Sequence, residues 1–386
     1  MMEEYKKMVF MSRKKKILIL SRWYFPAKNP RAFRTKELVK ELFRRGKYDI
    51  TAVLPSFADL QDCAVDAHFI PTISVPAKCG KDGSVSLKDR ILEQIRSVLR
   101  FIVGDSPGNI IYSFRLYFVL RKLFQEEHYD VVMSISFPFY IHVAVALAMK
   151  YSNFKSIFIA DCGDPFYVNP SYKMAFYLKW LEKYFLSKFD YVTIPMNAAR
   201  KSYADYGIDG RIRIIPQGFA ITQIADDAYK KNPVPAFCFA GLLYEKIRNP
   251  RYFLDYLLQV KQDFVFVVYA LPDAFTIKLL QEYKEKLGER LEIREPLPRE
   301  ELIHVMATME FVVNFDNENS NQKPSKLIDY AMSRRPILSF NSRTFKPKVF
   351  KEFLQGNYAG QEQIDLSQYD ICNVVDKFEE LFAEIR

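Results

Sequence analysis

The residues best suited to chemistry lie between Asn319 and Phe340, in NSNQKPSKLIDYAMSRRPILSF. A polar loop there leads into Leu327, Ile328, Ala331 and Met332, whose spacing predicts an amphipathic helix. Pro324 suits the first helical turn, where the missing N–H would be unpaired anyway. The free backbone N–H groups of Ser325 and Lys326, with the helix dipole, attract anions. Lys323 and Lys326 add full charges, and Asp329, one turn on, can accept from two hydroxyls. The set reads as a site for a phosphorylated sugar or a nucleotide; the plainer alternative is a capped helix carrying two lysines.

Other candidates follow strands. Lys246 and Arg248 lie in a basic loop after FCFAG, a strand ending in Gly241. Arg31 follows the first strand and suits an acceptor or donor phosphate. Asp161 and Asp164, in IADCGDPF, can orient or deprotonate a hydroxyl; an Asx turn or a cap is the alternative. His142 falls inside a helical pattern, which points to a structural histidine.

These groups need elements to hold them. ILIL, YDITAVLP, YDVVMSIS, SIFIAD and DYVTIP read as strands alternating with helices, and RIRIIPQGF closes the set. A second βα series runs through FCFAG, FVFVVYA, LEIREPLP, FVVNFD and PILSF to a final amphipathic helix, VVDKFEELFAEIR. Residues 58–86 read as irregular. Residues 87–103 and 111–125 read as amphipathic helices with basic and aromatic residues, either packed on a sheet or touching a membrane surface.

The 386 residues suffice for two domains. Residues 1–220 hold 34 Lys+Arg against 21 Asp+Glu, and the remainder 22 against 25, so one basic surface is expected to meet anions. No apolar run reaches the ~18 residues of a membrane span. The N-terminus lacks the apolar stretch of a signal peptide. Five scattered cysteines without C-x-x-C spacing point to free thiols in a reducing compartment, hence a cytoplasmic protein. No nucleic-acid module is legible, and the absence of G-x-G-x-x-G argues against an NAD-type site.

RWYFP with its helix ending in RRG, IADCGDPF, RIIPQGF, GLLYEKIRNP and QKPSKLIDYAMSRRPIL resemble, in order, segments of the bacterial retaining glycosyltransferases of family 4. The resemblance implies an α/β GT-B fold, two Rossmann-like domains facing across a cleft. Residues 1–220 would bind the acceptor, 221–235 form a linker and 236–370 bind the donor. The helix 371–386 would cross back to, or lie beside, the first domain.

It further implies metal-independent transfer of a hexosyl group, with retention, from a UDP- or GDP-linked sugar. The acceptor would be lipid-linked or a polysaccharide, in envelope glycan synthesis of the capsule or lipopolysaccharide kind, beside an anionic membrane surface. Lys246, Arg248, Lys326 and the N–H groups of Ser325 and Lys326 would stabilise the leaving diphosphate, framed by Gly241 and Pro324. Leu297 would stand at the base and Asp329 at the ribose. Asn321 occupies the place of the family's first Glu and lacks its charge, and Asn29-Pro30-Arg31 replaces the usual Gly-Gly pair near the acceptor. Asp161, Asp164, Asn321 and Arg248 are the catalytic candidates. A GT-B-like binding or scaffold protein of envelope assembly, impaired by the missing Glu, is the alternative.

Overall fold

The computed structural model describes residues 13–27, 29–60, 63–72, 94, 97–98, 100–152, 155–168, 174–245, 248–316 and 326–384. The chain divides into a unit of Met1–Ala220 with Gln368–Arg386 and a unit of Ile221–Ser367. No helix among the described residues is long and apolar enough to cross a membrane.

The first unit is built on β1 (Lys15–Ser21), whose Ile17 to Leu20 are fully buried. Helix α1 (Pro30–Arg45) and β2 (Tyr48–Pro55) follow, then β3 (Asp66–Ile70). Helix α2 (Pro107–Glu126), β4 (Val131–Ile135), α3 (Tyr140–Ala148) and β5 (Ile157–Asp161) come next, then α4 (Tyr177–Leu186), β6 (Tyr191–Ile194) and β7 (Ile212–Ile214). All seven strands run parallel in the order β3-β2-β1-β4-β5-β6-β7, with Ile17 level with Ile50 on one side and Val131 on the other. Buried on both faces, such strands must be apolar throughout. Strand β3 falls within the stretch expected to be irregular. It is an edge strand in which only Ile70 is buried, so DAHFI carries little apolar pattern.

Alternate strand residues feed two cores. Leu18, Leu20, Val53 and Val132 face α2, α3 and α4, while Ile17, Ile19, Ala52 and Met133 face α1. On that second face α1 is joined by the final helix, Ile371–Ala383, which buries Ile371, Val374, Val375, Phe378, Leu381 and Phe382. The chain enters this helix beside Gly218, where an added Cβ would stand 2.5 Å from Ile371. Arg45 pairs with Asp376 at 2.6 Å and bonds the Cys372 carbonyl at 2.7 Å. The last helix therefore belongs to the first unit.

In the second unit β8 (Ala236–Gly241), α5 (Arg251–Leu257), β9 (Val265–Ala270), α6 (Ala274–Leu287) and β10 (Leu291–Arg294) lead to α7 (Arg299–Ala307) and β11 (Phe311–Phe315). Helix α8 (Lys326–Met332), β12 (Ile337–Phe340) and α9 (Pro347–Leu354) complete it, so the final helix Ile371–Ala383 is α10. The parallel order is β10-β9-β8-β11-β12. Its core is a packed phenylalanine cluster: Phe237 stacks on Phe311 and Phe266 with ring centres 4.7 and 4.9 Å away. Residues 221–235, read as a linker, are tied to this unit. Asn232 bonds Glu310 and the Thr308 carbonyl, and Arg335 lies over the Tyr229 ring.

Truncating Phe378, fully buried in the first unit, removes a large side chain from a site that cannot collapse. We expect Phe378→Ala to cost ~3–5 kcal/mol in chemical denaturation. A loss under ~1 kcal/mol would show that α10 is not part of this core.

Candidate functional site

Counted in chain order, the second sheet and the five strands from the β3 edge of the first share the order 3-2-1-4-5. Strand order therefore reverses between β1 and β4 in the first unit and between β8 and β11 in the second. In open α/β sheets ligands bind beyond the carboxyl ends of the strands at such a point.

In the second unit that point gathers Lys326 and Arg248. Tyr330 of α8 donates its hydroxyl to the Ala240 carbonyl (2.7 Å) and accepts from the Ala240 N–H (3.0 Å). This clamps α8 onto the last residues of β8. Lys326, one turn earlier, crosses Gly241, where a Cβ would stand 3.1 Å from its Nζ and where φ is +148°. Only glycine adopts that backbone readily and leaves the lysine room. The ammonium lies 4.3 Å from the centre of the Phe239 ring and has no hydrogen-bond partner among the described residues. Burial, and then the charge of Arg248, hold its pKa well below the ordinary lysine range; Asp316 opposes them.

Arg248 comes from the loop after β8, closed by two backbone hydrogen bonds between Tyr244 and Arg248. Its Nη1 donates to the Leu242 carbonyl at 3.3 Å, and burial lowers its pKa. The two cations expected at one anion position thus influence each other directly. Beside them Asn314 donates to Asp316 (2.6 Å) and Ser339 (2.7 Å), and its Oδ1 has no partner among the described residues. Asp329 on α8 is held by Arg299 of α7 through Nε (2.8 Å) and Nη2 (2.6 Å), and burial raises its pKa. Leu297 is half-buried in the loop before α7. Lys246, Asn321, Pro324 and Ser325 lie outside the described residues.

In the first unit Asp161, at the end of β5, is held by two arginines. Asp161 is 1 % exposed and accepts from Arg31 Nη2 (2.5 Å), Arg34 Nη2 (2.8 Å), Arg34 Nε (3.2 Å) and the Thr193 hydroxyl (2.6 Å). Burial alone would raise its pKa, but the two arginines bring it down to about 2. A carboxylate so saturated and so weakly basic does not deprotonate a hydroxyl, which corrects the reading of Asp161 as a base. Arg31 sits in the same cluster: its guanidinium donates to Asp161 and to the Ser136 carbonyl, and because one carboxylate faces two arginines the cluster keeps a net positive charge. Asn29 caps α1, its Oδ1 accepting from the N–H groups of Arg31 (3.1 Å) and Ala32 (2.9 Å). Asp164 is exposed near this cluster. His142 is fully buried between Ser134 and Cys162, and burial pushes its pKa down to about 3, a neutral structural histidine.

Arg34, Thr193, Arg299, Asn314 and Asp316 escaped the sequence reading. Arg34 left one signal: it stands one turn before Leu38, on the helix face that packs inward. Among the described residues no three His, Cys, Asp or Glu side chains gather as a metal site.

Residues 33–223 match the family model described as Glycosyltransferase Family 4. No curated protein matches the sequence. Among solved structures, a glycosyltransferase from Rickettsia africae aligns with a TM-score of 0.64 at 11% identity, covering 96% of this chain and 98% of its own. Anabaena HepE in complex with UDP-glucose aligns at 0.58 and 13% identity, covering 96% and 100%. The apo lipopolysaccharide outer core galactosyltransferase WaaB aligns at 0.58 and 11% identity over the same shares. The fold is GT-B, with two Rossmann-like units, and the chain is similar to family 4.

An unpaired buried ammonium costs stability in the free protein. Because the folded pKa of Lys326 is lowered, the unfolded chain binds the extra proton, and stability rises with pH from that depressed value up to about 10.4. Lys326→Met should therefore raise the Tm of the unliganded protein at neutral pH and flatten this pH dependence. A lower Tm would show that the ammonium has a counter-ion.

Proposed function

We propose that this GT-B chain, similar to family 4 glycosyltransferases across residues 33–223, transfers a hexosyl group from a UDP- or GDP-linked sugar. The observation that carries the reading is Lys326 Nζ, buried beside Arg248 at the carboxyl end of β8 with no hydrogen-bond partner among the described residues. Positive charge held in low dielectric suits an anionic ligand, and a diphosphate supplies the charge. As the glycosidic bond breaks, charge builds on the leaving diphosphate, and preorganised cations stabilise it without reorganising. The reading assigns no metal to this task. The HepE structure with UDP-glucose supports a nucleotide-sugar donor.

Asp329, held by Arg299, takes the ribose hydroxyls, and Leu297 with the loop before α7 takes the base. Asn321 stands where the family carries its first acid and orients the donor sugar by hydrogen bonds. Transfer proceeds with retention. Asp164, exposed after β5, contacts the acceptor, which is lipid-linked or a polysaccharide of the cell envelope. The galactosyltransferase of lipopolysaccharide among the structural neighbours favours this class.

The protein works peripherally on an anionic, inward-facing membrane surface. Support comes from α4 and the residue before it. Phe176 is 83% exposed and Trp180 66%, and Trp180 stacks on Tyr184 at 5.3 Å, giving an aromatic stripe at i, i+4 and i+8. Phe101 and Ile102 adjoin it through the Ala175 N–H and the Tyr177 hydroxyl. Lys179, Lys183 and Lys188 flank the stripe, the pattern of an interfacial helix on acidic lipid.

Isothermal titration with UDP and GDP tests the donor site. Lys326→Met and Arg248→Ala should each weaken binding by ~1.5–3 kcal/mol, about ten- to a hundredfold. Undiminished binding in both variants would overturn the assignment. For the surface, Trp180→Ala should reduce binding to anionic liposomes, and raised salt should reduce it further. Equal binding to neutral vesicles would remove the electrostatic part of the reading.

A further inference from the structure

Beyond the carboxyl end of β1 two opposite charges are buried, and among the described residues neither forms an ion pair. Arg22 is 6% exposed, and its guanidinium carbon lies 4.7, 5.1 and 5.6 Å from the ring centres of Trp23, Tyr112 and Phe57. Its Nε and Nη1 have no hydrogen-bond partner among the described residues. Asp105 is 3% exposed; its Oδ1 accepts from the Ser106 N–H (2.6 Å) and the Asn109 amide (2.7 Å), while its Oδ2 has no partner among the described residues. The two side chains lie close enough for each to bias the other's titration, yet no ion pair joins them. Buried polar atoms without partners are rare in folded proteins, and here a donor set and an acceptor stand unsatisfied together.

The surroundings are rigid. Tyr112 donates its hydroxyl to the Ser21 carbonyl at 2.8 Å, fixing α2 to the last residue of β1. Trp23 and Phe57 are partly exposed beside Arg22, their ring centres 6.4 Å apart, and present an aromatic face to solvent.

Charge decides what fits. A phosphate would satisfy Arg22 and be repelled by Asp105, whose charge Arg100 offsets only in part. A hydroxyl accepts from a guanidinium and donates to a carboxylate oxygen, so it completes both groups. We propose that Arg22 and Asp105 read hydroxyls of a neutral sugar ring on the acceptor, with Trp23 and Phe57 packing on the ring's apolar face. The inference rests on the glycosyltransferase reading and narrows its acceptor to a saccharide whose recognised ring carries no phosphate. It adds Arg22 to the acceptor candidates beside Arg31, which is held by Asp161.

The chain has two tryptophans, so Trp180→Phe leaves Trp23 as the sole reporter beside the site. Full-length Trp180→Phe protein is titrated with methyl glycosides of common hexoses and N-acetylhexosamines, and separately with inorganic phosphate. At least one glycoside should give a saturable change in Trp23 fluorescence, and phosphate none. Asp105→Asn, which keeps the Oδ1 acceptor, and Arg22→Met should each weaken that response tenfold or more. If either variant fails to fold by circular dichroism, Phe57→Ala at the exposed rim should still weaken it severalfold. UDP and GDP titration by calorimetry runs in parallel. Silence with every glycoside, a response to phosphate in place of glycoside, or full affinity in the folded variants overturns the proposal. Loss of nucleotide binding with the glycoside response intact would instead sink the donor reading and leave this site standing.

Discussion

Parallel strand pairing is the constraint on which the rest depends. In both sheets every strand runs the same way, so all carboxyl ends meet on one edge and the helices must cover both faces. Apolar side chains fill those faces, leaving polar chemistry to the edge. Buried or half-buried charged groups at that edge include Arg22, Arg31, Arg34, Asp105 and Asp161 in the first unit, and Lys326 and Arg248 in the second.

The edges differ in how their charge is balanced. Asp161 joins α1, β5 and β6 directly, and through Arg31 and Arg34 it also joins the backbone after β4 and β7. Asp161 accepts from both arginines and from Thr193, so the cluster fixes the loops around it. Lys326 is the opposite case. Its surroundings include the Phe239 ring, Arg248 and Asp316, and a bound anion would offset the cost of burying it. Asp161 is held down to about 2 by its partners, while burial and then the charge of Arg248 push Lys326 down.

Much of this was legible in the sequence. Continuous apolar runs such as ILIL and FVFVVYA identify central parallel strands, and the turn before KLIDYAM places Lys326 at a strand end. The gaps have physical causes. Asp161 reads as a free carboxylate because its partners Arg34 and Thr193 are remote in sequence and meet it only through the sheet order. Asn29 reads as a ligand contact because capping and recognition use the same side-chain oxygen. Strand β3 escapes because an edge strand with one buried residue has no alternation to see. Arg22 and Asp105 are invisible because an unpaired buried group is a property of packing.

The central claim is that the second unit holds a diphosphate against Lys326 and Arg248. A crystal structure of the protein soaked with UDP or GDP tests it most directly. The account predicts phosphate density within hydrogen-bond distance of Lys326 Nζ and the Arg248 guanidinium, beyond Gly241. Well-ordered nucleotide bound elsewhere, with Lys326 still unpaired over Phe239, would contradict it.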